Sequence, residues 1–139
     1  MSRDVIIVGS AALFVLLILL ALLAAKVIKR RKFPDKVKQQ WLEIQRLCTN
    51  KETWVSAVIG ADQLLHRVLK KLRFKGKSTG ELMVSAQRRF SDNDTVWYAH
   101  KLAKKLTAQK NPAIREAKAK KSLVGIRQAL RDLGMLNEK

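Results

Sequence analysis

From Val5 to Ala25 the chain reads VIIVGSAALFVLLILLALLAA, 21 residues without a charge. At roughly 1.5 Å per helical residue the run reaches about 31 Å, which matches a bilayer hydrocarbon core of about 30 Å. A helix that is apolar on every face needs an apolar surrounding, and a chain of 139 residues is too small to enclose it in protein. The run therefore predicts a membrane-spanning helix. Only Arg3 and Asp4 flank it on the N-terminal side, whereas Lys26, Lys29, Arg30, Arg31 and Lys32 follow it within seven residues. The excess of cations after the span places the C-terminal part in the cytoplasm and the short N-terminus outside. A cleavable signal peptide fits less well: the apolar run is too long, Asp4 stands in the leading segment, and no clean small-x-small pair precedes Lys26. Residues 1–32 are thus expected to form an uncleaved signal anchor with a basic cytoplasmic flank.

Residues 33–139 are enough for one small domain with its own core. The formal net charge of the chain is +18, of which residues 1–32 contribute +5 and the remaining residues +13. A field of that sign favours anionic partners, either the inner-leaflet lipid surface or RNA. Cys48, the single cysteine, is expected as a buried reduced thiol on an apolar helical face.

Hydrophobic spacing in the second part is helical throughout. Phe33-Pro34-Asp35 predicts the end of the first helix and the start of a second, whose stripe is Val37, Trp41, Ile44 and Cys48. Thr49 and Glu52 have capping-box spacing and predict a helix over Lys51 to about Arg73, closed by Gly76, with Trp54, Val55, Val58, Ile59, Ala61, Leu65, Val68, Leu69 and Leu72 inward. Ser78 and Glu81 repeat that spacing ahead of a short helix to about Phe90, and a polar break from Ser91 to Asp94 precedes a helix to about Lys110. Asn111-Pro112 predicts the start of a last helix with Ile114, Ala117, Leu123, Ile126, Leu130 and Leu133 inward, ended by Gly134. No segment alternates as a strand does. The expected fold class is all-α: a transmembrane helix followed by a four-to-five-helix antiparallel bundle.

The residues contain few groups suited to catalysis. His66 and His100 are the only histidines, and neither has a metal-ligating residue three or four positions later, so no metal site, cofactor or small-molecule substrate is expected. No phosphate-loop string occurs. Asp62 is the one acid inside an apolar helical stretch and is expected to bridge to a bundle Arg or Lys. Trp41, Trp54 and Trp97 each lie on an apolar stripe and are expected to pack rather than stack on bases. From Lys101 to Lys121 stand Lys101, Lys104, Lys105, Lys110, Arg115, Lys118, Lys120 and Lys121, against Glu116 alone. Lysine dominates this stretch and no aromatic is interleaved, which suits phosphate or headgroup attraction better than base readout.

The spacing Trp41-x-x-Ile44, Trp54-x-x-Ala57-Val58-x-x-Ala61-Asp62, Gly76-x-x-Thr79-x-Glu81-Leu82-Met83 and Val96-Trp97-x-Ala99-His100-Lys101-Leu102 resembles a family of short bacterial proteins that join one N-terminal span to a small helical domain. Its last motif and helical layout are similar to HEPN domains, four-to-five-helix bundles found in toxin ribonucleases and RNA-processing factors. The resemblance implies a HEPN-like fold over about Pro34 to Gly134. HEPN ribonucleases rely on an Arg followed four to six residues later by His. In this chain Ala103 stands at the position of the Arg, Lys104 at that of an Asn, and Ala108 at that of the His. With no imidazole there, the neutral-pH base is missing and no catalytic residue is assigned.

The expected protein is therefore a single-pass protein of the cytoplasmic membrane carrying a non-enzymatic binding or scaffolding module for lipid, RNA or an RNA-protein complex. A ribonuclease with a site around His100 and a small subunit of a membrane protein complex are the alternatives. A carboxylate converging on His100 would favour the enzyme, an open basic ridge the binding module, and an exposed apolar patch the complex subunit.

Overall fold

A computed structural model describes residues 3–137, and these are all-helical or loop. The helices are α1 (Arg3–Leu47), α2 (Trp54–Lys71), α3 (Thr79–Ala86), α4 (Asn93–Ala108) and α5 (Glu116–Asp132), with one 3₁₀ turn at Lys51–Thr53 before α2. The chain divides into two compact units, Met1–Phe33 and Pro34–Lys139.

In the first unit the apolar part of α1 is long and apolar enough to cross a membrane, with a mean hydropathy of 3.1 over its best 18-residue window. None of that window is buried by protein. Large apolar side chains on every face, from Val5 to Ile28, are open.

Pro34 does not end the helix as its sequence context predicts, because α1 runs through it to Leu47. A proline inside a helix removes one main-chain hydrogen bond, whereas breaking the helix there would leave up to four carbonyls and four amides without partners. With helical segments on both sides, continuing is the smaller loss. Beyond Pro34, Val37, Trp41 and Ile44 are buried in the second unit.

The capping box expected at Thr49 and Glu52 is not formed, and α2 starts only at Trp54. The residues meant to cap α2 instead serve the end of α1. Thr49 Oγ1 donates to the Arg46 carbonyl at 2.8 Å, the Thr53 hydroxyl donates to the carbonyls of Leu47 and Asn50, and Trp54 Nε1 donates to the Cys48 carbonyl at 3.0 Å. A helix end leaves carbonyls that need donors, and these side chains supply them.

Gly76 does not close α2. The helix ends at Lys71, and Arg73 takes the left-handed conformation at φ 65° that glycine usually occupies. Phe74 N–H bonds the Leu69 carbonyl and Arg73 N–H that of Lys70, the paired bonds of a Schellman ending. Gly76 serves a close approach, since a Cβ there would lie 2.8 Å from both Glu81 Cβ and Leu82 N. At α3, Ser78 Oγ accepts from Glu81 N–H at 3.2 Å, but the Glu81 carboxylate accepts from Lys77 N–H rather than from Ser78. Only half of the expected box is present, and α3 stops at Ala86, short of Phe90.

Asp92 caps α4 through Thr95 N–H at 3.1 Å. The Thr95 hydroxyl and amide hold the Asp92 carboxyl below its ordinary range. The last helix begins at Glu116, not at Pro112, and residues 109–115 form a connector whose ends, Gln109 and Arg115, are extended. Ile114 packs there against a cluster of Val58, Ala103, Leu106 and Ala119. With the later start, Ala119, Ser122 and Gly125 face inward while Ala117 is exposed. Gly134 at φ 75° ends α5 as expected, with Met135 N–H on the Leu130 carbonyl and Gly134 N–H on that of Arg131.

α2, α4 and α5 pack against one another. Val58 meets Ala103 and Leu106, and Asp62 meets His100, so α2 and α4 run antiparallel. Gly125 meets Thr95 and Asp132 meets Ser91, so α4 and α5 do too. α3 lies against α2, and Ile44 of α1 lies 3.7 Å from where a Gly60 Cβ would stand.

Candidate functional site: a divided basic face and a buried Asp–His pair

All eight cations of the Lys101–Lys121 stretch are exposed, but they do not form one ridge. Lys105, Arg115 and Lys118 line a cleft of about 400 Å³ where the end of α4, the connector and the start of α5 meet. A fourth cation, Lys51 of the 3₁₀ turn, completes the lining over an aliphatic floor of Leu102, Leu106 and Ile114. Among the described residues no carboxylate lies within ion-pair distance of these four.

Lys120 and Lys121 point elsewhere. Together with Asp92 and Thr95 they line a separate hollow, and Lys121 Nζ sits 4.2 Å from the centre of the Tyr98 ring. Part of the expected charge is therefore engaged in an intramolecular cation–π contact. Lys101 and Lys104 are exposed along α4, and Lys110 is exposed in the connector. Lys26, Lys29, Arg30, Arg31 and Lys32 are exposed on α1.

A third cleft of about 450 Å³ is apolar at its base, with Trp41, Ile44, Cys48, Trp54 and Leu123, and charged at its rim, with Glu116, Lys120 and Arg127. The Trp41 indole N–H is buried there with no acceptor among the described residues. Cys48 Sγ donates to the Ile44 carbonyl at 3.3 Å, and burial pushes its thiol pKa up, toward the unreactive neutral form.

Asp62 finds a different partner from the Arg or Lys expected of it. Its Oδ1 lies 2.9 Å from His100 Nδ1, with both side chains about 15% exposed. Bonding at Nδ1 leaves Nε2 as the ring's remaining polar atom, close to Gly80, where a Cβ would stand 3.9 Å from it. The Trp97 ring meets His100 edge-on, with centroids 6.0 Å apart. One turn along α2 from Asp62, His66 Nδ1 bonds Thr79 Oγ1 at 2.9 Å. Both histidines thus meet α2–α3 or α2–α4 contacts made by side chains of single residues. Asp62 and His100 are 38 positions apart, so no local spacing pairs them. Among the described residues no group of three or more His, Cys, Asp or Glu converges as a metal site would require.

The geometry thus contains both discriminating features at once, a carboxylate on His100 and an open basic surface. Among the described residues, the large exposed apolar side chains outside the first unit are Leu42, Val84 and Val124, one on each of three helices. Compared with family models, curated proteins and solved structures, the chain finds no match in any of the three.

Proposed function

We propose that this chain is a single-pass membrane protein whose HEPN-like basic helical domain lies in the cytoplasm and holds a phosphate-bearing anionic partner without catalysing a reaction. The observation that carries this reading is the cleft of Lys51, Lys105, Arg115 and Lys118, four exposed cations around one concavity with no acid in its lining. Anchoring raises the local concentration of such a surface at the bilayer, and the cations then supply a salt-sensitive attraction. The five cations after the apolar helix support the cytoplasmic orientation. Two measurements test the reading together. Protease added to intact cells should spare the C-terminal domain, and the full chain in a neutral detergent should bind anionic lipid or RNA with an affinity that falls steeply with salt. Digestion of the domain, or salt-insensitive binding, would refute it.

The Asp62–His100 pair favours a second reading, an RNA-cleaving enzyme. An aspartate on Nδ1 orients an imidazole and leaves Nε2 for proton transfer, which contributes roughly 10²- to 10⁴-fold to a rate. The pair is about 85% shielded, however, and neither residue lines the basic cleft. Cation binding that is equal in substrate and transition state gives no acceleration. Cleavage of structured or unstructured RNA by the full chain that disappears in His100→Ala would establish this second reading and displace the first.

A further inference from the structure

Resting on the reading of the basic face as an anion site, we infer that the cleft at the start of α5 is built for two or more phosphates carried on one small, non-aromatic polyol. Its four cations come from four segments: Lys51 from the 3₁₀ turn, Lys105 from the last turns of α4, Arg115 from the connector and Lys118 from the first turn of α5. Glu116, the one acid of the Lys101–Lys121 stretch, lines the other groove with Trp41 and Trp54. The cleft is therefore left with a charge that a single phosphate would only partly offset. No side-chain hydrogen bond from Arg115 caps the start of α5, and Glu116 in its first turn offsets the positive helix end, so the field of the cleft is that of its four side chains.

The floor decides what the phosphates are attached to. Leu102, Leu106 and Ile114 are aliphatic and Gln109 adds one amide, with no aromatic ring on which a base would stack. A volume of about 400 Å³ admits a small organic core with its phosphates but not a length of nucleic acid. Lysine and arginine at the rim suit phosphate oxygens, with Arg115 the one side chain able to take two oxygens at once. The same chemistry occurs in a soluble sugar bisphosphate and in a lipid headgroup that carries two phosphates on one glycerol.

The test uses the full chain in neutral detergent at low salt, with fructose 1,6-bisphosphate and inorganic phosphate as soluble probes. Diphosphatidylglycerol and phosphatidylserine, at matched charge in mixed micelles, serve as lipid probes. A bisphosphate ligand from either source should bind at least about tenfold more tightly than its comparator. Lys51→Ala and Arg115→Ala should each weaken it about tenfold, with unchanged far-ultraviolet circular dichroism, Arg115→Lys should weaken it less, and Lys101→Ala with Lys104→Ala should leave it unaltered. Preference for fructose 1,6-bisphosphate assigns the soluble source, and preference confined to diphosphatidylglycerol assigns the lipid. Binding that is equal for all anions and falls equally in the Lys101/Lys104 variant would overturn the cleft while leaving a general anionic surface. Absence of binding to every probe would overturn the cleft, and absence of RNA binding as well would overturn the anion-site reading on which it rests.

Discussion

Two glycines in helix interiors should respond to the same substitution with opposite sign. Replacing glycine by alanine inside a helix gains up to about 1 kcal/mol in propensity, if the new methyl has room. At Gly60, in the middle of α2, a Cβ would have Ile44 Cγ1 as its nearest neighbour at 3.7 Å, an ordinary contact. At Gly125, in α5, it would lie 2.5 Å from Thr95 Cγ2, 2.9 Å from the Thr95 carbonyl oxygen and 3.0 Å from its carbon. The last two are main-chain atoms of α4, so the overlap cannot be relieved by a rotamer change. The helices themselves must separate, and overpacking of that kind costs about 1–3 kcal/mol. The net expectation is a gain of up to about 1 kcal/mol for Gly60→Ala and a loss of about 1–2 kcal/mol for Gly125→Ala.

For a domain of this size those values move the melting temperature up by roughly 4–8 °C in the first case and down by roughly 5–15 °C in the second. Tryptophan fluorescence of the full chain in detergent is the right probe. Trp41, Trp54 and Trp97 all belong to the second unit, whereas circular dichroism would also register the apolar part of α1. Adding Thr95→Ser to Gly125→Ala removes the 2.5 Å methyl contact but not the main-chain ones, and should recover only part of the loss. A Gly125→Ala protein as stable as the parent, or more so, would show that α4 and α5 do not approach as closely as described and would refute the reasoning.

Three further outcomes follow from polar groups at the helix contacts. Ser122 is fully buried and its hydroxyl has no partner among the described residues, so Ser122→Ala should raise stability by about 1 kcal/mol, measured by the same melt; a loss would show that the hydroxyl has a partner. Asp62→Asn, His100→Ala and the double variant should show a coupling on the order of 1 kcal/mol in a thermodynamic cycle, whereas strictly additive losses would mean that the 2.9 Å contact contributes nothing. Burial pushes the Asp132 carboxyl up, but the Ser91 amide and hydroxyl and the Gln128 amide outweigh it and hold the pKa below the ordinary 3.8. A depressed folded pKa stabilises fully above the unfolded value of 3.8 and ceases to as pH falls on through the lower folded pKa, so the deficit of Asp132→Asn should be full near neutrality and close in strong acid; a pH-independent deficit would contradict this.

The all-helical class and the single apolar helix were legible because both rest on periodicity, which a sequence carries directly. The errors at helix ends share one physical origin. Thr49, Thr53 and Trp54 could serve either the carbonyls behind them or the amides ahead, and the residue types alone do not say which. They serve the carbonyls, and the start of α2 moves by three residues. Asn111-Pro112 was outweighed in a different way. Starting α5 at Pro112 would coil Ile114 into a helix, whereas the extended connector seats it on Val58, Ala103, Leu106 and Ala119. Where a signal acts on its own helix with no competing donor, as at Ser78 and Gly134, it held at least in part.

The site was less legible than the fold, because charge and pairing depend on contacts between distant segments. A linear reading of Lys101 to Lys121 counts eight cations on two helices and a turn, but helix rotation sends neighbours to different faces: Lys118 enters the cleft, and Lys120 and Lys121 leave it. Lys51 joins from more than fifty positions away because the start of α2 lies beside the end of α4, an antiparallel pairing set by the apolar stripes and not by any charge. The same pairing brings Asp62 to His100. One packing arrangement therefore creates both the basic concavity and the shielded Asp–His contact, and separates them by about a helical turn or more along α4, from His100 to Lys105. The contact that could orient an imidazole and the concavity that could hold a phosphate thus share one origin, the packing of α2 on α4, which no spacing within either helix reveals.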